Sequence, residues 1–377
     1  MYLLNPVLST ENMNSTNRKN PFFSRIIERF SLNKKGSTKK TFHLSLTSAG
    51  SAIQYQPGDC VGVLPSNDPA EVNEILQALQ HKGSEFVVDP ENNAPISLSA
   101  YLTRASNLQK THPSLLKMAQ EHSSTQIVPD PEAPMRPVEL FAKMSRIAIP
   151  LSDIPRLFLP QLPRFYSIAS AQVQYPEEIH LTVALASFES RGRKRYGVAS
   201  RFLCLDAIVN ETPIPIYLQP SRSFILPADS NASIILVGCG TGIAPLRAFL
   251  QHRVSTHAKG RNWLFFGERH RSSDYYYEDF FEALRQQKTL RLDLAFSRDS
   301  AEKIYVQHRM WEQRRDLWAW LQEGAYLYVC GDAQNMAIDV DSTLIRIAID
   351  QGSMTDDEAR RYLKKLRADK RYLLDVY

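Results

Sequence analysis

Apolar and polar residues alternate in Phe42-His43-Leu44-Ser45-Leu46, and Ile53-Gln54-Tyr55 repeats the alternation before Pro57-Gly58-Asp59 turns the chain. A period of two predicts half-buried strands, and Cys60-Val61-Gly62-Val63-Leu64 reads as a further one. The rhythm then changes. Asp68-Pro69-Ala70 has the form of a helix cap with proline in the first turn, and Val72, Ile75, Leu76 and Leu79 follow at helical spacing. Up to about residue 156 the pattern is helical or irregular, with candidate helices at 97–103, 114–121 and 137–145 and a proline-rich break at 129–134. Strand patterns return at 164–170 and 179–185, followed by a positively charged loop at 191–195. After Gly197-Val198-Ala199-Ser200 a helix begins at Arg201, and 214–218 and 223–226 complete the strand set. Short strands with turns on both sides of a helical stretch predict a small antiparallel barrel carrying an insert.

From Ala232 onward strands and helices alternate, as in a doubly wound parallel sheet. Strands are expected at 234–237, 263–267, 291–296 and 326–330, and helices at 246–253, 277–286, 305–321 and 335–349. Thr355 with Glu358 three residues on is a capping box for one more helix, and 372–377 reads as a last strand. The first strand of this half, Ile234-Ile235-Leu236-Val237, has no polar interruption and runs into Gly238-Cys239-Gly240-Thr241-Gly242. A helix follows from about Pro245, with Leu246, Phe249 and Leu250 on its apolar face. Strand, glycine turn and helix start form a cradle for a phosphate, because the free N–H groups and the dipole of the helix end are positive. Taken alone, the same stretch also fits a tight turn without a ligand.

The chain has 377 residues, enough for two or three structural units, and its 43% hydrophobic and 23% charged residues are ordinary for a globular protein. No apolar run approaches the ~20 residues of a membrane span. The first residues lack both a basic start and a long apolar core, which argues against a signal peptide and for a cytoplasmic protein. Cys60, Cys204, Cys239 and Cys330 are scattered, so free thiols are expected and a structural zinc site is not. His81, His112 and His122 lack metal-site spacing, and no metal is expected. Residues 1–20, rich in Asn, Ser and Thr, read as a poorly ordered arm. The net charge is +5, and basic residues cluster between Arg18 and Lys40. Without stacking aromatics they read as a solvated segment, not a nucleic-acid site, with attraction to an acidic protein left open.

Several separated stretches carry a resemblance: Asn20-Pro21-Phe22, Pro57-Gly58-Asp59-Cys60-Val61-Gly62-Val63, Arg164 onward, Gly197 onward, Gly238 to Pro245, Ser297-Arg298-Asp299, Tyr305-Val306-Gln307-His308, Val329 to Met336, and Asp375 with Tyr377. In this order they resemble the FAD- and NADPH-binding half of the diflavin reductases. These belong to the ferredoxin-NADP reductase superfamily, and the nearest branch is that of sulfite reductase flavoprotein and NADPH-cytochrome reductase. The resemblance implies an antiparallel FAD-binding barrel from 21–67 and 156–227, a helical connecting insert at 68–155, and an α/β NADP(H)-binding domain at 228–377. Too few residues precede Pro21 for the family's FMN-binding flavodoxin-like half, so the FMN step is expected on another protein.

The same resemblance implies the site. Arg164 would bind the FAD pyrophosphate, with Phe165 and Tyr166 beside the flavin and Ser167 at its reactive edge. Gly197, Val198, Ala199 and Ser200 would serve the same pyrophosphate, and Thr182 and Ala184 would border the flavin, with Phe188 near the adenine. Gly240, Thr241 and Gly242 would touch the NADPH pyrophosphate, with Arg269, Asp332 and Met336 nearby. Ser297, Arg298, Lys303 and Tyr305 would grip the adenosine 2'-phosphate, with Gln307 close by, which favours NADPH over NADH. Ser167, Cys330 and Asp375 would surround the reacting centre, and Tyr377 would cover the flavin until nicotinamide displaces it. Cys239 stands where proline is common in the family, and Gln334 where arginine often follows.

The expected activity is an NADPH-dependent FAD oxidoreductase that passes a hydride to FAD and then single electrons to a separate acceptor. That acceptor would be an FMN-containing flavodoxin-like protein or a sulfite reductase hemoprotein. The alternatives are a reductase of a ferredoxin-type iron-sulfur protein and a catalytically inactive flavoprotein binding subunit.

Overall fold

The computed structural model describes residues 16–123, 125–145 and 148–377, and most of the expected N-terminal arm lies outside them. The described end of that arm is a tight turn: Asn17 and Asn20 exchange backbone hydrogen bonds at 3.1 Å, and Arg18 pairs with Glu91 at 3.0 Å. Strands β1 (Phe22–Ser24), β2 (Ile26–Ser31), β3 (Thr41–Thr47) and β4 (Cys60–Val63) open the barrel. Ile53 and Tyr55 are buried as their alternation implies, yet they form no strand, because Gln172 Oε1 accepts the Tyr55 N–H where a ladder partner would stand.

The insert starts with the helix Pro69–Leu79, where Asp68 accepts the Ala70 N–H at 3.0 Å. Val72, Ile75, Leu76 and Leu79 are buried in a core of the insert's own, each contributing about 1.5–3 kcal/mol. The insert is less helical than its sequence suggests. It contains β5 (Phe86–Val88), β6 (Pro95–Ser97) and β7 (Ser106–Thr111) besides the helices Pro113–His122 and Pro137–Phe141. It closes with β8 (Phe158–Pro160), which pairs with β7, and Leu157 and Phe158 pack in the insert's core. Strands of three residues are too short to show a period.

The barrel resumes with β9 (Arg164–Ser167), β10 (Glu178–Ala184), β11 (Ser187–Ser190), β12 (Arg193–Tyr196) and β13 (Ile214–Gln219). One antiparallel sheet has the order β1-β13-β4-β9 and the other β10-β3-β2, with Leu44, Leu46, Val61, Val63, Leu181 and Ile216 among the side chains between them. The charged stretch expected as a loop is instead the β11–β12 hairpin, turned by Arg191 at φ 53° and Gly192 at φ 70°. Two successive positive φ angles suit a two-residue turn that matches strand twist. The helix expected from Arg201 begins at Val198 with Gly197 as its cap residue, and residues 223–226 form no strand.

The C-terminal half has one parallel sheet, in the order β16 (Arg291–Phe296), β15 (Asn262–Glu268), β14 (Ile234–Cys239), β17 (Tyr326–Gly331), β18 (Tyr372–Val376). Central β14 is covered on both faces, which is why its apolar run is unbroken. The helices Ile243–Ser255, Glu278–Gln286, Val306–Glu312, Arg314–Gln322, Met336–Gly352 and Asp356–Ala368 follow the expected alternation. Strand order reverses between β14 and β17, so their C-terminal ends open a crevice where such sheets bind ligands. No helix among the described residues is long and apolar enough to cross a membrane.

A polar seam fixes the barrel against this sheet. Asp274 accepts from Asn33 Nδ2 at 2.7 Å and from Ser37 Oγ at 2.5 Å, and Lys34 N–H donates to Ser273 O at 2.8 Å. Deeper in, Arg247 is buried: it donates to Ala169 O at 2.5 Å and stacks on the Tyr277 ring 4.6 Å away. Thr182 and His43 meet the Tyr277 hydroxyl at 2.7 and 3.1 Å.

Candidate functional site

The seam opens into a cleft of about 610 Å³ between the barrel and the C-terminal ends of the parallel strands. Lys39, Lys40 and Lys194 face it from the barrel side, and Gly240, Thr241, Arg269 and Tyr377 from the sheet side. The glycine turn is built for close approach. Gly240 has φ +57° and meets only Glu268 and Lys39 within 4 Å, whereas a Cβ on Gly242 would lie 2.1 Å from the Cys330 carbonyl oxygen. Gly240 therefore presents bare backbone to the cleft, while Gly242 lets the turn sit on the end of β17.

Ser167, Cys330 and Asp375 converge where β9 of the barrel meets the ends of β17 and β18. Ser167 Oγ donates to Asp375 Oδ2 at 3.0 Å, and Cys330 Sγ lies 3.7 Å from the same oxygen. Burial, then the adjacent Asp375 carboxylate, holds the Cys330 thiol well above the ordinary range, so it stays protonated and acts as a donor. Cys60 joins the group, because the β4–β9 register sets it opposite Ser167 with Sγ 3.8 Å from Oγ. Cys60 Sγ is the donor to Ser167 Oγ, and burial pushes the Cys60 thiol up to about 11. Tyr377 N–H donates to Gly331 O at 3.0 Å, and its hydroxyl meets Thr241 Oγ1 at 2.9 Å.

Other expected residues are distributed as follows. Arg164 and Phe165 are exposed on β9, and the Arg164 guanidinium makes no side-chain hydrogen bond or ion pair among the described residues. Tyr166 packs against the barrel core, and burial raises its hydroxyl's pKa. Ala184 lines the cleft, whereas the Thr182 hydroxyl is turned into the seam toward Tyr277. Val198 and Ala199 lie in the first turn of their helix, while Ser200 Oγ donates to Gly197 O at 3.0 Å. Phe188 is exposed on the β11–β12 hairpin.

Ser297 and Arg298 stand on the cleft's rim, their N–H groups donating to Glu268 O and Arg269 O at 2.9 Å. Lys303 and Tyr305 are exposed just beyond them. Gln307 and Met336 face the protein instead: Gln307 donates to Asp339 at 2.9 Å, and Met336 packs in the sheet's core. Asp332 lines the cleft, but its Oδ1 accepts the Asn335 N–H at 2.5 Å and the Met336 N–H at 3.2 Å, which hold its carboxyl below the usual range.

Sequence reasoning passed over Lys39, Lys194 and Glu268. Lys39 belongs to the basic run read as solvated, yet it crosses from the barrel to bond the buried Glu268, which also accepts the Tyr276 hydroxyl at 3.2 Å. The signal was that the run ends against the strand pattern that begins at Phe42. Among the described residues no group of His, Cys, Asp and Glu could hold a metal, and all four cysteines are free.

Bare glycine backbone beside Lys39, Lys40, Lys194 and Arg269 makes the cleft a place suited to phosphate groups. Comparison with known proteins agrees. The FAD binding domain family matches residues 14–115 and 107–202. The chain belongs to that family. Residues 236–342 match the oxidoreductase NAD-binding domain, so an FAD-binding module precedes a nicotinamide-nucleotide-binding one. The chain is 36% identical over 376 residues to the sulfite reductase (NADPH) flavoprotein alpha-component of Bacillus subtilis, covering 96% of this chain and 62% of that protein. The proteins of the same name from Mannheimia succiniciproducens and Vibrio cholerae are 36% and 39% identical, again over 96% of this chain and over 62% and 60% of theirs. The chain thus spans about three-fifths of the length of the curated relatives it matches.

Proposed function

We propose that the protein is an NADPH-dependent FAD oxidoreductase that delivers electrons to a separate acceptor protein. The observation that carries this reading is the convergence of Ser167 and Cys330 on Asp375 Oδ2, at 3.0 and 3.7 Å, at the junction of the two nucleotide-binding units. In this reading the barrel, 21–67 and the chain after β8 to 227, holds FAD, the insert from 68 through β8 braces it, and 228–377 holds NADPH. When bound, the two cofactors supply hydride transfer from nicotinamide to flavin and release of single electrons.

The chain's own groups bind and orient. The free Arg164 guanidinium and the first-turn N–H groups of Val198 and Ala199 hold the FAD pyrophosphate, since those N–H groups have no acceptor within their helix. Gly240, Thr241 and Arg269 hold the NADPH pyrophosphate. Ser297, Arg298 and Lys303 hold the 2'-phosphate, with Tyr305 against the adenine. Ser167 and Cys330 keep their protons directed at Asp375, which fixes the carboxylate beside the reacting atoms and keeps the thiol from acting as a nucleophile. The likeness to sulfite reductase flavoprotein alpha-components supports a sulfite reductase hemoprotein as acceptor. A flavodoxin-like or ferredoxin acceptor would use the same surface chemistry, with basic residues of the 18–40 segment attracting an acidic protein.

The test is anaerobic stopped-flow reduction of the FAD-loaded protein by NADPH and by NADH, followed at the flavin absorbance. Fast bleaching with NADPH and slow bleaching with NADH is expected. A flavin that stays oxidised with both would refute the reading.

A further inference from the structure

Lys39 and Glu268 form an ion pair across the seam, against the glycine turn that the proposed function assigns to the NADPH pyrophosphate. A Cβ on Gly240 would lie 3.5 Å from Glu268 Oε1 and 3.9 Å from Lys39 Nζ, so both charges border the bare backbone of that turn. A fixed carboxylate there repels what the turn binds. The Glu268 side chain is only 1% exposed, whereas that of Lys39 is 34% exposed, and both line the cleft. Glu268 is also anchored without the lysine: Oε2 accepts the Arg269 N–H at 2.6 Å, and Oε1 accepts the Tyr276 hydroxyl at 3.2 Å. Its charge is felt along the turn, since burial, followed by the Glu268 carboxylate, pushes the Cys239 thiol up to about 12, with Lys39 opposing.

We propose that Glu268 is a specificity-determining residue that lowers the affinity of the glycine turn for phosphate, by neutralising Lys39 and by repelling the ligand's own charge. The inference rests on the reading that this turn holds the NADPH pyrophosphate. A phosphate arriving at Gly240 competes with Glu268 for the Lys39 ammonium, and the buried carboxylate behind the lysine opposes it. Charges in such a partly buried place are weakly screened, so removing the carboxylate should tighten a pyrophosphate ligand about five- to twentyfold. A ligand with phosphate only on the 2' oxygen occupies Ser297, Arg298 and Lys303 and places no charge at the turn. Glu268 thereby grades ligands by the charge they bring to Gly240, and it keeps the spent nucleotide from binding too tightly to leave.

The experiment is calorimetric titration of NADP+ and 2'-AMP into the FAD-loaded wild-type protein and Glu268→Gln, whose amide has the carboxylate's shape and keeps an oxygen for the Arg269 N–H. NADP+ should bind the variant about five- to twentyfold more tightly, with 2'-AMP changed by less than about twofold. Unchanged or weaker NADP+ binding overturns the proposal, because Glu268 would then position Lys39 and not compete for it. Equal tightening of both ligands also overturns it, since the gain would not depend on charge at the turn. Lys39→Gln is the independent check should the amide variant not fold: it uncovers the carboxylate and should weaken NADP+ about tenfold or more while sparing 2'-AMP. Unchanged NADP+ affinity in that variant overturns the proposal. If the wild-type protein binds neither nucleotide, the proposed function itself falls; if it binds both and neither variant shifts NADP+, only the role of Glu268 falls.

Discussion

Acid should open the seam between barrel and parallel sheet, through two histidines buried there as neutral groups. His180 lies between a cation and an anion: Nδ1 is 3.5 Å from Arg247 Nη1, and Nε2 is 2.8 Å from Glu178 Oε2. The His43 ring meets it edge-on at 4.8 Å and stacks on Phe30, while Tyr175 packs on His180 at 4.2 Å and Tyr277 meets His43 Nδ1 at 3.1 Å. Burial, aided by Arg247, lowers His180 from 6.5 to about 4, partly offset by Glu178, and burial with the neighbouring His180 and Arg247 lowers His43 to about 2. Both folded values are depressed, so the opened seam binds more protons below pH 6.5. The closed state is favoured fully above that pH and progressively less as pH falls toward 4. From pH 7.5 to 5.0 each histidine removes about 2 kcal/mol, together about 4 kcal/mol or roughly a thousandfold in the opening equilibrium. The Ala171 amide, which donates across the seam to Gln251 Oε1 at 3.1 Å, is the reporter. Its hydrogen-exchange protection, corrected for the intrinsic pH dependence, should fall by that factor in the wild type and by about the square root of it in His180→Gln, which removes one of the two sites. Protection that changes less than tenfold in the wild type, or equally in both proteins, would refute the argument.

Other substitutions probe the cleft and its supports. Gly242→Ala puts a Cβ 2.1 Å from the Cys330 carbonyl oxygen and should abolish 2',5'-ADP binding and lower the melting temperature; Gly240→Ala, at φ +57° with nothing nearer than 3.5 Å, should cost only about 1–2 kcal/mol. Arg195→Met strands the largely buried Glu139 carboxylate where the β11–β12 hairpin meets the insert, and should destabilise by about 3–5 kcal/mol in urea unfolding. Adding Glu139→Leu should recover most of that loss. Arg298→Ala should weaken 2',5'-ADP about tenfold or more while leaving 5'-ADP unchanged in calorimetry, and an equal loss for both would remove Arg298 from the 2'-phosphate.

What the sequence discloses depends on how local the governing physics is. β14 was legible because a central parallel strand must be apolar throughout, and its glycine turn because only glycine tolerates the Gly242 contact at 2.1 Å. The β11–β12 hairpin was not, since both its faces are largely exposed and its charged residues carry no burial period to read. The insert's three-residue strands fail for another reason, being too brief to repeat any pattern. The site divides along the same line. Ser167 and Asp375 lie 208 positions apart and meet only because two separate sheets abut, so periodicity could not join them; the family resemblance could. Cys60, though within a stretch that carries the resemblance, and Lys39 were not read as site residues by either route. One depends on the register that sets β4 against β9, the other on a surface-like lysine crossing the seam to a buried carboxylate. Those contacts are decided by how the barrel docks on the sheet, and beside the cleft the docking is polar, although Leu32 and Phe224 of the barrel pack into the sheet's core elsewhere. Polar seams leave no hydrophobic pattern in either partner, so the groups that close the cleft are the ones a one-dimensional reading assigns to solvent.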